Sequence, residues 1–287
     1  DYNGGSPAAY TDAWAGAGTF TYGTSTLVMA KSGTQKINFL NGEDIYNLTV
    51  NDNSTTELHC LNTTSGLLDV YGDVVVNEKL KSSSDSANTS LRFREVKTLT
   101  IGSDVKTTAL SDLYALNLRH SNGTIDLPEL TTQRVILAST TNCTARATGD
   151  LTITQELEFG DGRTFNANGN TIAAKNVDVN GGTLDLRNST LNFSVTSSSD
   201  IFTMSGSSTL LSGNTAINGH SSAAKTLAAF APSGGFEVVG DVKHLLSDTD
   251  SDLTVIGSVI GCDVSASGAN IRQFFHTLDT QQLLDAD

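Results

Sequence analysis

The feature that most constrains this chain is a pair of apolar residues at positions i and i+2, bracketed by polar ones, that returns along its length. Leu48/Val50, Leu99/Ile101, Leu116/Leu118, Leu151/Ile153, Val177/Val179, Leu184/Leu186 and Leu253/Val255 all follow it. A period of two puts each pair on one face of a β-strand and its polar neighbours on the other. The polar partners repeat as well, as in Asn47-Leu-Thr-Val-Asn51, Leu151-Thr-Ile-Thr154 and Asn176-Val-Asp-Val-Asn180.

The segments are short and turn signals follow them closely. Asn-Gly begins at Asn41, Asn122, Asn168, Asn180 and Asn218, and Gly-Asp at Gly72, Gly149, Gly160 and Gly240. These dipeptides suit positive φ and tight corners. Strand starts near Asn47, Leu68, Lys97, Leu116, Val135, Leu151, Val177, Leu210, Val238 and Val255 recur every ~23 residues, within the range of solenoid repeats. The steps are uneven, so loops of different length must leave the rungs. The pattern predicts an all-β, right-handed parallel β-helix with irregular rungs. A tandem β-sandwich is the alternative, since short strands with frequent turns describe it too. Against it, a sandwich of this length would be two domains, and no clear linker interrupts the middle of the chain.

Composition agrees with a thin core and a large surface. Among 287 residues there are 31 Ser, 38 Thr and 22 Asn, only 3 Pro, and 17% charged residues. Disordered chains of this polarity carry more Pro and charge and lack regular apolar spacing. The net charge of -14 offers no basic face for phosphates, so nucleic acid is not an expected partner. No run approaches the length of a membrane span, and no membrane insertion is expected. Cys60, Cys143 and Cys262 lie far apart without a CxxC, which argues against zinc and against a full disulfide framework. Synthesis in a reducing cytoplasm is the simpler expectation, with one long-range disulfide as the alternative. The chain opens on Asp1 rather than Met, and a trimmed chain is expected.

Three regions depart from the pattern. Residues 1–18 are small and Gly/Ala-rich and predict a flexible arm, with Trp14 as a docking anchor. The β-helix is expected over 19–268. Within it, residues 221–231 carry Ala and Leu at helical spacing and predict a short helix. Residues 269–287 lack alternation and predict a docking segment, helical or extended, with Phe274, Phe275, Leu283 and Leu284 as the contact residues.

No motif for chemistry stands out. Asp248, Asp250 and Asp252 resemble part of a calcium loop, but Leu253 and Val259 stand where an EF-hand needs Gly and Glu. A solvated loop is expected there, and no metal site. Glu156, Glu158, Asp161, Asp178 and Asp185 are the best carboxylate cluster, the type of pair that cleaves glycosidic bonds. Their ordinary reading is a solvated outer face, and neither catalytic residues nor cofactors are expected. The five histidines, His59, His120, His220, His244 and His276, have no metal spacing. Eight Asn-x-Ser/Thr sequons, beginning at Asn47, Asn53, Asn62, Asn88, Asn122, Asn142, Asn188 and Asn192, read as turn formers and stacked asparagines rather than glycosylation sites.

The runs Gly18-Thr-Phe-Thr-Tyr-Gly-Thr-Ser-Thr-Leu27, Ile45-Tyr-Asn-Leu-Thr-Val50 and Gly72-Asp-Val-Val-Val76 resemble the β-rich repeats of phage tail-fibre and other virion-surface proteins, marine ones in particular. Large bacterial adhesins carry similar runs. The closing Thr277-Leu-Asp-Thr-Gln-Gln-Leu-Leu-Asp285 is also similar to segments of such phage proteins. The resemblance implies a rigid, non-enzymatic virion part on the virion surface, often a homotrimer, joined to other virion proteins and facing a host-surface glycan or receptor. A cell-surface adhesin or extracellular filament is the first alternative, and a polysaccharide-degrading tailspike the second.

Overall fold

The structure is a computed structural model. It describes residues 23–95, 97–138, 142–192 and 208–211 in full, and the backbone alone of Trp14–Ala15, Phe193 and the strands between Phe202 and Phe274. Every described element is a strand, and every strand pairing is parallel. The chain is a parallel β-helix, as the spacing predicts. A sandwich would need antiparallel neighbours, and the one antiparallel contact among the described residues is an isolated bridge, Ser83 to Ser86. Two compact units divide the chain, Asp1–Cys143 and Thr144–Asp287.

In the first unit three sheets are visited in a fixed order. The chain runs through Thr26–Met29, Gly33–Phe39 and Asp44–Ile45, then through Asn47–Val50, Ser54–Cys60 and Leu67–Val70. The next coil uses Val74–Val76, Lys79–Ser82 and Ser90–Phe93. Each strand lies in register beside its counterpart one coil later: Leu48 against Val74, Ile37 against Leu58, Leu91 against Leu68. The inward stacks this makes are fully buried, including Leu68–Leu91–Leu116–Val135 and Val70–Phe93–Leu118–Leu137. Each such Leu, Val or Phe contributes about 1.5–3 kcal/mol of transfer free energy. The register steps are near the spacing read from the sequence: Leu68 to Leu91 is 23 residues and Leu91 to Leu116 is 25.

In the second unit two ten-residue strands, Leu151–Gly160 and Thr171–Asn180, lie side by side with a register shift between Ile153 and Glu156. Leu151, Ile153, Leu157 and Phe159 all point inward on either side of that irregularity. Thr171–Asn180 then pairs with two separate strands of the next coil, Thr190–Phe193 and Phe202–Ser205. A neighbouring sheet stacks Phe165, Leu184 and Leu210.

Corners carry the conformations that the turn dipeptides require. Asn122 and Asn168 have φ of 54° and 51°, and Gly42, Gly169 and Gly181 have φ between 81° and 83°. Asparagine side chains also tie coil to coil. Asn47 Oδ1 accepts from the Asp73 amide at 2.7 Å, and Asn41 Oδ1 from the Leu67 amide at 3.0 Å. These bonds satisfy corner amides that the ladder leaves unpaired.

One expectation is overturned. Residues 227–231 form a strand rather than a helix, Leu227–Ala231, paired in parallel with Phe202–Ser205. The neighbouring coil offers a row of open backbone partners, and these outweigh the helical preference of Ala and Leu. The rest of 221–231 lies outside the described residues. Trp14–Ala15 pairs with Ile37–Asn38, which places these two residues of the expected arm against the sheet of Gly33–Phe39. Near the other end, Ile271–Phe274 is a strand paired with Leu253–Ile256, so this part of the docking segment is extended.

Candidate functional site

The third sheet of the first unit brings a group of interacting polar side chains onto one outward face. Its strands are Asp44–Ile45, Leu67–Val70, Ser90–Phe93, Ala115–Leu118 and Leu130–Leu137. Ile45, Val70, Phe93, Leu118 and Leu137 all point inward in register. The residue after an inward one points outward. Tyr46, Tyr71, Arg94 and Arg119 therefore form one outward column, and the amides of Tyr71, Arg94 and Arg119 continue the ladder by donating to Ile45, Val70 and Phe93. The residue before the inward one gives a second column: Asp44, Asp69, Arg92 and Asn117.

Asp69 anchors both columns. Its carboxylate is 2% exposed, and it accepts from Arg92 through Nε on one oxygen and through Nη2 at 2.6 Å on the other. That is the two-point fork that guanidinium and carboxylate make best. Arg94 stands farther off, with Nε 3.4 Å from Asp69 Oδ2 and 3.4 Å from the Tyr71 hydroxyl, to which it donates. Arg119 forms no side-chain hydrogen bond or ion pair among the described residues. A third outward position holds Arg134, whose Nη1 donates to the Tyr114 hydroxyl at 2.9 Å.

Asp44 sits on the far side of Asp69 from Arg92. Burial first, and then the neighbouring Asp69 charge, push its carboxyl above the ordinary aspartate range against the opposing pull of Arg94 and Arg92. Glu43 is also raised, by burial and by Asp44, although the Leu40 amide donates to it and works the other way. Tyr46 packs against Gly72 at the corner. A Cβ there would come within 2.8 Å of the Tyr46 ring.

The carboxylates singled out in the sequence are only partly gathered. Glu156 faces Asn176 and Glu158 faces Asp178 across adjacent strands. Burial, then the Glu156 charge, raises Asp178. Asp185 is on the neighbouring sheet and is taken up by Arg187, with Nη2 to Oδ2 at 2.7 Å and Nε to Oδ1 at 2.8 Å. Asp161 lies over Gly181 at the corner. His59 Nδ1 and Asn38 Oδ1 are 2.9 Å apart, an in-register pair rather than a ligand set. Among the described residues no group of His, Cys, Asp and Glu is placed to hold a metal ion. Asp248, Asp250 and Asp252, and Phe275, Leu283 and Leu284 of the docking segment, lie outside the described residues. Phe274 is described by its backbone alone, opposite Ile256.

The arginine and tyrosine column was not singled out in the sequence, yet it leaves a signal there. Glu43-Asp-Ile-Tyr46, Leu68-Asp-Val-Tyr71, Leu91-Arg-Phe-Arg94 and Leu116-Asn-Leu-Arg119 are the same four positions on successive coils. Aligning the coils on their inward residues would have stacked these last positions. No family model, no curated protein and no solved structure matches the chain.

Proposed function

We propose that this protein is a structural display element of a virion, a tail fibre or surface appendage, that assembles with copies of itself and presents its outward sheet faces to a host surface. The observation that carries this reading is how the outward charges are used. In-register partners on successive coils neutralise one another, as in Lys36–Glu57–Lys81, where Glu57 lies 3.9 Å from Lys36 and 2.9 Å from Lys81. Asp69 with Arg92 repeats the arrangement on another sheet. Such ladders hold a surface in fixed register, and that suits presentation. The virion reading rests on the resemblance of the runs at residues 18–27, 45–50 and 72–76 to virion-surface repeats, and a cell-surface adhesin, which carries similar runs, is the alternative.

Sedimentation and light scattering on the full chain test this, together with an assay for new reducing ends on incubation with bacterial surface polysaccharide. The expected result is a stable homo-oligomer, a trimer for a fibre, with no reducing ends released. Deleting residues 270–287 is expected to weaken the oligomer while β content by circular dichroism stays largely unchanged. A monomer that depolymerises the glycan would overturn the reading in favour of a tailspike enzyme.

A further inference from the structure

We propose that the outward face bearing Tyr46, Tyr71, Arg94 and Arg119 is a binding site for a linear glycan that carries carboxylate groups. The proposal rests on the display reading and names the ligand class that the displayed face takes.

Arginine is gathered at this face. The chain has eight arginines and a net charge of -14; Arg92 and Arg134 stand on strands of this one sheet, and Arg94 and Arg119 directly follow two of them, beside the acids Asp44 and Asp69. Asp69 is matched with Arg92 by the tighter pair of contacts. Arg94 is left with two 3.4 Å contacts, and Arg119 with none among the described residues. Arg94 and Arg119 are column neighbours on adjacent strands, so two guanidinium groups stand roughly 4.8 Å apart at their backbones. Like charges at that spacing repel. An anion bridging them relieves the repulsion and gains forked hydrogen bonds from both.

The same column continues into two tyrosines. Their rings add apolar surface beside the guanidinium groups, a combination that suits the apolar faces of sugar rings. Cationic and aromatic positions thus lie along a line across four coils, about 14 Å from the first strand to the fourth at the usual strand spacing. That is room for a short run of an extended polymer. Nucleic acid fits less well, because duplex DNA brings a charge every ~1.7 Å along its axis and would meet the acidic remainder of the chain. A polyuronate brings one carboxylate per ring.

The test is calorimetric titration of the full chain with a hexamer of galacturonic acid, with its fully methyl-esterified form, and with inorganic sulfate. The acidic hexamer is expected to bind, more weakly as salt rises, and the ester is not. Arg119→Ala is expected to weaken binding tenfold or more with an unchanged melting temperature, since no described partner loses a contact. Lys106→Ala, on an exposed pair with Glu129, is expected to bind as wild type. No binding of the acidic hexamer, equal binding of the ester, sulfate binding as tightly as the hexamer, or full affinity in Arg119→Ala would each overturn the site. Those failures leave the display reading standing. Conversely, cleavage of the hexamer would sink the display reading and leave the site as a substrate groove.

Discussion

Asp44 shows how one side chain on an outward face can oppose the fold that places it. Its pKa is raised in the folded state, mainly by burial and then by Asp69. The sign follows from linkage. A carboxyl held above its unfolded value favours folding in the protonated form, so its contribution is full below the ordinary aspartate value of about 3.9 and is lost as pH rises through the raised value. Asp44→Asn removes the charge and keeps the shape. The variant is expected to melt higher than wild type at pH 7, and the difference is expected to shrink toward zero near pH 4 and below. Glu43, raised in part by Asp44, would move in the same direction. A variant that melts lower than wild type at pH 7 would show that the Asp44 carboxylate is held by its arginine neighbours more strongly than burial opposes it.

At the level of the strand, inward stacking and close approach of coils do the work, and both are open to substitution. Ile153 is fully buried beside Ala174. Ile153→Asp would place an unpaired charge in the core and cost about 3 kcal/mol or more. Gly182 is the opposite case, where nothing can be added. A Cβ there would come within 2.6 Å of the Phe159 ring and 2.8 Å of the Gly160 carbonyl. Phe159 has little room to yield, since it is buried and stacked on Phe165 with ring centroids 6.4 Å apart. Gly182→Ala is therefore expected to cost about 1–3 kcal/mol. Urea denaturation measures both, and a wild-type midpoint in either would contradict the inward placement. The Ile153 contact was legible from the period of two. The Gly182 contact was not, because it depends on which residues of different coils come into register. The same distinction explains the corners and the site. Asn-Gly marked turns correctly at Asn122 and Asn168, whereas the Tyr71–Arg94–Arg119 column needs a coil-by-coil alignment that uneven loops obscure. The strand at Leu227–Ala231 was missed because local helical spacing says nothing about a neighbouring edge.

For the molecule as a whole, the dominant electrostatic fact is 31 acidic against 17 basic side chains. Net charge of that size works against the folded state through self-repulsion. Local pairs work the other way, but exposed ones contribute only about 0–1 kcal/mol each, and Lys106–Glu129 belongs to that class; Lys36–Glu57 is half-buried but long at 3.9 Å. Salt screens both effects. The Debye length falls from about 30 Å at 0.01 M to about 8 Å at 0.15 M, which removes long-range repulsion between distant acids while leaving contacts of 3–4 Å less affected. Repulsion is the longer-ranged and more numerous interaction, so the melting temperature is expected to rise by several degrees over that range, as read by differential scanning calorimetry. A fall would mean that the ion-pair ladders outweigh the net charge. Binding of an acidic glycan at Arg94 and Arg119 is attractive and has the opposite sign, so affinity is expected to decline over the same salt range in which the fold gains stability. Measuring both on one preparation separates them, because salt-induced unfolding would lower both together.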